Sequence, residues 1–439
     1  MSDAHRVERR RPGLLAVGAA AVVAAGLVVW FTTGAIVPPV FAMRTPASMP
    51  AGRAPSKTLA RGTEPLVQPK HFLYQGAFRL PQGEINGSSF AYGGTALAFN
   101  PAHNSLFVVG HDHHQRVAEV SIPAVYSSSR PRHLETASLL QPLTDATEDS
   151  LSRIGPNTAK IGGLLPFADR LYLTGYLYYD GAGEQKLSHF VSGTDLTLRG
   201  DVRGPFRVDA PMAGLVSGYM GLVPPAWQDA LGGPVLTGNC CLGVIGRTSF
   251  GPAAFTINPS DIGVKDPVPA TPLVYYPAAH PTLGPWEGTN EYFNGTSQVT
   301  GIVFPIGSRS VLFFGRHGLG AFCYGPGTDS SERAGLPADG GVDKWCFDPS
   351  DGNKGTHAYP YRYYVWAYDA KDLAAVKAGK KKPWDVKPYA VWPFSLPYGE
   401  TGLLKGAAYD PATGRVFVSQ AYGDGELPVI HVYVLMVEE

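Results

Sequence analysis

Five stretches of this chain share one pattern: a small residue, a short apolar strand, a polar turn, and a second strand that is apolar throughout. Ala96-Leu97-Ala98-Phe99 leads to Leu106-Phe107-Val108-Val109-Gly110. Gly163-Leu164-Leu165 leads to Leu171-Tyr172-Leu173-Thr174-Gly175, and Gly221-Leu222-Val223 leads to Val235-Leu236-Thr237-Gly238. Gly301-Ile302-Val303-Phe304 leads to Val311-Leu312-Phe313-Phe314-Gly315, and Gly406-Ala407-Ala408-Tyr409 leads to Val416-Phe417-Val418-Ser419. A strand with one wet face alternates apolar and polar residues; a strand apolar at every position is covered on both faces. Each second strand must therefore lie between two neighbours, and each small residue marks a place where backbones crowd together. Later strands follow at 117–122, 187–192, 253–257, 363–368 and 429–434. Period two dominates, and the one convincing helical turn is near Asp372 to Ala378.

On these repeats, residues 70–439 resemble the β-propeller superfamily. The resemblance implies an all-β fold of about five four-stranded blades. The wide gaps before residues 301 and 406 leave room for a sixth or seventh. Phe72–Phe78 reads as a strand without a hairpin partner, and the last repeat lacks a fourth strand. Pairing the two closes the ring and removes an open edge. A β-sandwich is the alternative, but it leaves the small residue and the fully apolar second strand unexplained. No series of Trp-Asp dipeptides, Asp-boxes or kelch Gly-Gly pairs is present, so no named functional family is matched and no residue-level chemistry comes with the resemblance.

The first 42 residues read as an address. Arg6, Arg9, Arg10 and Arg11 precede an uncharged stretch from Gly13 to Val37, about 37 Å long as a helix and enough to cross a bilayer. The charge asymmetry keeps the basic tip in the cytoplasm and the rest outside. Val40-Phe41-Ala42 offers a competing reading, a signal peptide cut after Ala42 that would release the domain. Residues 43–69, rich in Pro, Ala, Ser, Arg and Thr, read as a flexible linker. The expected partner of the first segment is thus a membrane. Lys+Arg and Asp+Glu are 36 each, and no basic surplus marks the main body, which argues against nucleic acid. In an oxidising compartment the 4 cysteines favour a Cys323–Cys346 bridge; Cys240 and Cys241 read equally as a strained vicinal pair or as buried thiols.

The resemblance also implies that loops entering first strands and loops leaving second strands share one face around the axis. That rule selects the candidates. Glu84, Asp112, Glu291, Glu400 and Asp424 are candidate catalytic carboxylates, since glycoside cleavage needs one protonated and one ionised acid. Tyr178, Asp180, Arg316 and His317 are candidate ligand-binding residues. His111 and His113 alternate along an extended segment, and with His317 they could hold one transition-metal ion. The leading expectation is binding of a small molecule or carbohydrate, or scaffolding of partners, in a polar central pocket. The alternative is a hydrolase using carboxylates or a metal. Trp227, Trp286 and Trp345 fall in expected loops, where indole faces suit sugar rings.

Overall fold

The computed structural model describes residues 62–155, 158–243, 248–277, 280–399 and 402–437. The expected membrane or signal segment at 13–37, the cut after Ala42 and most of the linker lie outside them. Among the described residues no helix is long and apolar enough to cross a membrane.

The chain is built almost wholly of antiparallel strands. After β1 (Phe72–Arg79), sheet 1 comprises β2 (Leu97–Asn100), β3 (Ser105–Val109), β4 (Val117–Ser121) and β5 (Leu139–Thr144). Sheet 2 comprises β6 (Ala159–Phe167), β7 (Arg170–Leu177), β8 (His189–Gly193) and β9 (Arg203–Phe206). Sheet 3 comprises β10 (Met220–Leu222), β11 (Val235–Thr237), β12 (Ala254–Ile257) and β13 (Ala270–Val274). Sheet 4 begins with β14 (Gln298–Val303) and β15 (Ser310–Gly318). It is then interrupted by a small subdomain of β16 (Cys323–Thr328), β17 (Pro337–Ala338), β18 (Asp343–Lys344), β19 (Cys346–Phe347) and β20 (Lys354–His357). It resumes with β21 (Tyr361–Asp369) and β22 (Ala390–Phe394). Sheet 5 contains β23 (Leu404–Asp410), β24 (Arg415–Asp424) and β25 (Leu427–Leu435), with β1 as its outer strand. The interruption of sheet 4 accounts for the wide gap before residue 406, which holds no further four-stranded sheet.

The first strands of the five sheets pack beside one another in the order β2, β6, β10, β14, β23 and back to β2. Hydrophobic clusters fill every gap between neighbouring sheets, including the gap between sheets 5 and 1. The arrangement fits a β-propeller. It also explains the apolar second strands: on β3, Leu106 and Val108 enter the cluster shared with sheet 5, while Phe107 and Val109 enter the one shared with sheet 2. On β15, Val311 and Phe313 face sheet 3, and Leu312 and Phe314 face sheet 5. Burying such a side chain contributes about 1.5–3 kcal/mol, so each second strand anchors two interfaces. The small residues of the first strands follow from the crowded axis. A Cβ on Gly163 would stand 2.3 Å from the carbonyl oxygen of Gly218, and one on Gly301 would stand 2.6 Å from the Cβ of Ala407.

The ends meet through β1 and β25, which pair from Phe72↔Leu435 to Arg79↔Val429. Residues 64–68, read from sequence as linker, lie against sheet 4 instead. Val67 is fully buried, its N–H donates to Ser310 Oγ at 2.8 Å, and its carbonyl accepts from Tyr389. Two helices decorate the outside. α2 (Ala370–Lys377) covers the expected helical turn, with Asp369 capping Lys371 N–H. α1 (Pro225–Leu231) was not expected. Pro225 at its first position starts it, Gly232 in the left-handed region ends it, and Trp227 and Leu231, one turn apart, are buried beneath it. Trp227 is therefore a core residue, not a loop platform.

Candidate functional site

Three of the five axial strands carry a β-bulge near their first residues. Register breaks between Ile161 and Gly163, Val299 and Gly301, and Leu404 and Gly406 leave Gly162, Thr300 and Lys405 without cross-strand partners. A bulge bends the strand and re-aims the extra side chain. Here it releases Lys405 from its sheet toward charges supplied by three others: Lys405 feels Asp112 of sheet 1, Lys160 of sheet 2 and Arg316 of sheet 4. Burial pushes the Lys405 ammonium below the usual lysine range, and the two neighbouring cations push the same way.

Asp112 follows β3 and forms a 2.5 Å ion pair with Lys160, whose side chain is only 8% exposed. Gln115 fixes this loop to sheet 2. Its amide donates to the Asp112 carbonyl, and its Oε1 accepts from Ile161 N–H at 2.6 Å. Lys160 also stands 4.3 Å from the centre of the Tyr178 ring. Tyr178 follows β7, Tyr422 belongs to β24, and both rings are partly exposed. Burial first, and then the same two carboxylates, Asp112 and Asp351, raise both phenols. Tyr92 and His111 extend this aromatic rim, with Tyr92 centred 6.5 Å from Tyr422 and 5.5 Å from His111.

Arg316 comes from the end of β15. The residue is 9% exposed, and its guanidinium lies 4.4 Å from the centre of the Tyr361 ring. Burial lowers its pKa, against the pull of Tyr361, Asp351 and Asp348. Among the described residues its Nε has no hydrogen-bond partner, nor do the buried Thr300 Oγ1 and Asn239 Oδ1. No described carboxylate ion-pairs with Arg316 or Lys405. Behind Arg316, the subdomain inserted in sheet 4 builds a rigid support. Tyr361 donates to Asp348 Oδ2 at 2.7 Å, and His357 Nδ1 meets the same oxygen at 2.8 Å. His357 Nε2 faces the carbonyls of Gly325 and Asn353 at 3.1 and 3.0 Å. Acceptors lie against both nitrogens of His357, an arrangement that favours its protonated form. Burial would lower its pKa, but the Asp348 bond and charge outweigh that and raise it. Burial would likewise raise Asp348, yet the bonds from His357, Ser350 and Tyr361 hold it at about 2. A disulfide between Cys323 and Cys346 closes the subdomain, and a second joins Cys240 to Cys241 beside sheet 4, where Cys240 bridges to Val299.

Of the residues singled out in the sequence, Asp112, Tyr178 and Arg316 meet here. Glu84 and Glu291 are exposed in loops, and the Glu291 carbonyl accepts from Tyr364. Asp424 is held by Arg79 at 2.6 Å. Asp180 is 3% exposed and braces its own loop through the N–H groups of Glu184 and Gln185. Glu400 lies outside the described residues. The three histidines do not converge. His317 is buried in sheet 4, with Ser297 Oγ 2.8 Å from Nδ1 and the Asn290 carbonyl 2.7 Å from Nε2, so neither nitrogen is left for a metal. Adjacent strand residues face opposite ways, so Arg316 and His317 cannot share one ligand. His111 stacks on His114 at 4.5 Å, and its Nδ1 accepts from His113 N–H at 3.1 Å. Among the described residues no group of three or more His, Cys, Asp or Glu is placed to hold a metal ion. Sequence reasoning missed Lys160, Asp351 and the Asp348–His357–Tyr361 support, and treated Lys405 only as a counter-charge for loop acids.

No protein-family profile and no curated protein matches the chain. Among solved structures, it is similar to one described with the words "the GH130 family of mannoside phosphorylases contains glycoside hydrolases that target beta-1,2 mannosidic linkages in Candida mannan". The TM-score is 0.40 at 11% identity, over 82% of this chain and 94% of that one. So loose an overlap carries no chemistry across.

Proposed function

We propose that this chain is a ligand-binding protein that takes a small molecule or the end of a glycan between Asp112, Lys160, Tyr178, Arg316, Lys405 and Tyr422. The observation that carries the reading is Arg316. It is a cation about nine-tenths buried, its Nε without a partner among the described residues, in a cluster supplied by four sheets. A buried donor without a partner costs about 1–3 kcal/mol, and such groups in a fold call for a reason. A ligand acceptor supplies one. Partly exposed tyrosines beside it give an apolar face for a ring with polar edges. The same reading keeps the domain outside the cytoplasm, anchored through residues 13–37 or released after Ala42. Two disulfides suit an oxidising compartment.

Glycoside hydrolysis is the second reading, and one observation favours it. The charges of two carboxylates, Asp112 and Asp351, both reach Tyr178 and Tyr422, and glycoside cleavage uses a pair of acids. Ligand-observed NMR with the full chain, against oligosaccharides and small organic acids, tests both. Binding is expected to weaken at least about tenfold in a Tyr178→Ala, Tyr422→Ala double variant. No binding by either compound class sinks the proposal. New reducing ends that vanish in Asp112→Asn with binding intact would put hydrolysis first.

A further inference from the structure

The charges around the mouth say more about the ligand than that it is polar. We propose that the ligand is a carboxylated saccharide, a uronic acid or its oligomer, with its single carboxylate between Arg316 and Lys405 and its ring against Tyr178 and Tyr422. The inference rests on the ligand-binding reading above and deepens it.

The inner charges favour a ligand of low negative charge. Lys160, Arg316 and Lys405 supply three cations, and Asp112 and Asp351 supply two carboxylates. Asp348 is already engaged by His357, Tyr361 and Ser350. Among these five inner groups one unit of positive charge is left over; the exposed Glu426, bonded to Tyr92 at the rim, lies outside that count. A monoanion neutralises that unit; a dianionic phosphate would add a negative charge near Asp112 and Asp351, at low dielectric, where like charges repel strongly.

The cation geometry favours a carboxylate. Tyr361 covers one face of the Arg316 guanidinium, and Tyr361 is itself pinned through Asp348 to His357. The planar fork is thereby fixed, with its Nε edge unpartnered. A fixed fork suits a planar two-oxygen acceptor and loses little entropy on binding. Lys405, set free by its bulge, is the second cation without a described ion-pair partner. Its depressed proton affinity fits the same picture, since a bound carboxylate would restore the charge that burial disfavours. The remaining groups suit a sugar. Carboxylates accept from hydroxyls, and partly exposed tyrosines flank them.

The test is calorimetric titration of the full chain with galacturonate and glucuronate disaccharides, their methyl esters, and the corresponding hexose 6-phosphates. The ester keeps the shape and deletes the charge. At least one uronate is expected to bind at least about tenfold tighter than its own ester. That preference should shrink as salt rises from about 0.05 to about 0.3 M. It should disappear in Arg316→Gln and in Lys405→Met, recover in part in Arg316→Lys, and persist in Glu84→Gln. Equal affinity for acid and ester overturns the inference while leaving the binding reading intact. So does tighter binding of a phosphate than of any uronate. Failure of acids, esters and phosphates alike overturns the inference and returns the binding reading to the wider screen of oligosaccharides and organic acids. The acid–ester comparison uses only the unaltered chain, so a variant that fails to fold does not spoil it.

Discussion

The same five strands line both ends of the axis, and the two ends are chemically unlike. Where the strands finish, the opening is lined by Leu97, Leu165, Leu222, Phe304 and Tyr409, with little polar surface. Where they begin, it gathers Asp112, Lys160, Arg316 and Lys405. Among the described residues, the lining of the apolar opening holds no ion pair and no buried donor without a partner. The difference arises from backbone. Past the bulges the strands run in regular register with their small and apolar residues packed together; at the bulges, side chains leave that packing. Loops after the second strands add Asp112 and Tyr178 at the same end. The barrel of first strands is thus a support with one equipped end.

The harshest way to break the contrast is to break the support. In Gly163→Val a side chain would meet the Gly218 carbonyl oxygen, 2.3 Å from the ideal Cβ. Overpacking of backbone against backbone should cost about 3 kcal/mol or more, lowering the urea midpoint and removing both ends together. Gly307→Ala, with nothing within 4 Å of its Cβ, should cost far less despite its positive φ.

Next in size is Arg316→Met. Loss of a desolvated charge-assisted contact should weaken ligand binding by about 2–5 kcal/mol, with little loss of stability, because no described protein group depends on its Nε. Leu222→Val, at the apolar opening, should leave binding unchanged by the same titration. Equal effects at both ends would show that the two openings act as one site.

Much of this was legible in the sequence, for a physical reason. Burial on both faces makes a second strand such as Val311–Phe314 apolar throughout, and crowding at the axis demands Gly163 and Gly301. Such signals are local. Asp112, Tyr178 and Arg316 could be found because they lie directly beyond those strands. Lys160 was hidden by its apolar flanks, Ala159 and Ile161, although a lone cation just before Gly162-Gly163 parallels Lys405 before Gly406-Ala407. Asp348, Asp351 and His357 could not be placed, because their approach depends on how residues 319–360 fold back on sheet 4. The histidine cluster misled because a motif shows spacing and not partners. His317 is consumed by Ser297 and Asn290.

A smaller effect separates Lys405 from the apolar end through pH. Burial holds its folded pKa below the unfolded value, so above the folded pKa the unfolded chain binds more protons. Stability should therefore rise as pH climbs through the folded pKa toward about 10.5. Lys405→Met should flatten that rise in urea titrations on the alkaline side, up to about pH 10.5, whereas Leu222→Val should leave the slope unchanged.

A last contrast sets histidines in the sheets against the one behind Arg316. His189 and His431 are buried and neutral, their pKa values pushed down to about 3 by desolvation. Between about 3 and 6.5 the unfolded chain takes up protons that the fold refuses, so their sheets lose stability as pH falls below about 6.5. His357 has the opposite sign. Its raised pKa contributes stability fully below about 6.5, and that contribution is lost as pH rises through the folded value. Hydrogen exchange across pH should therefore show residues 323–357 loosening on the alkaline side while β8 and β25 loosen on the acid side. In His357→Gln the alkaline loosening should disappear and uronate affinity should fall modestly, because Tyr361 and Arg316 would lose their fixed support. Unchanged alkaline exchange in that variant would mean the subdomain holds Arg316 by its disulfide and strand pairing alone.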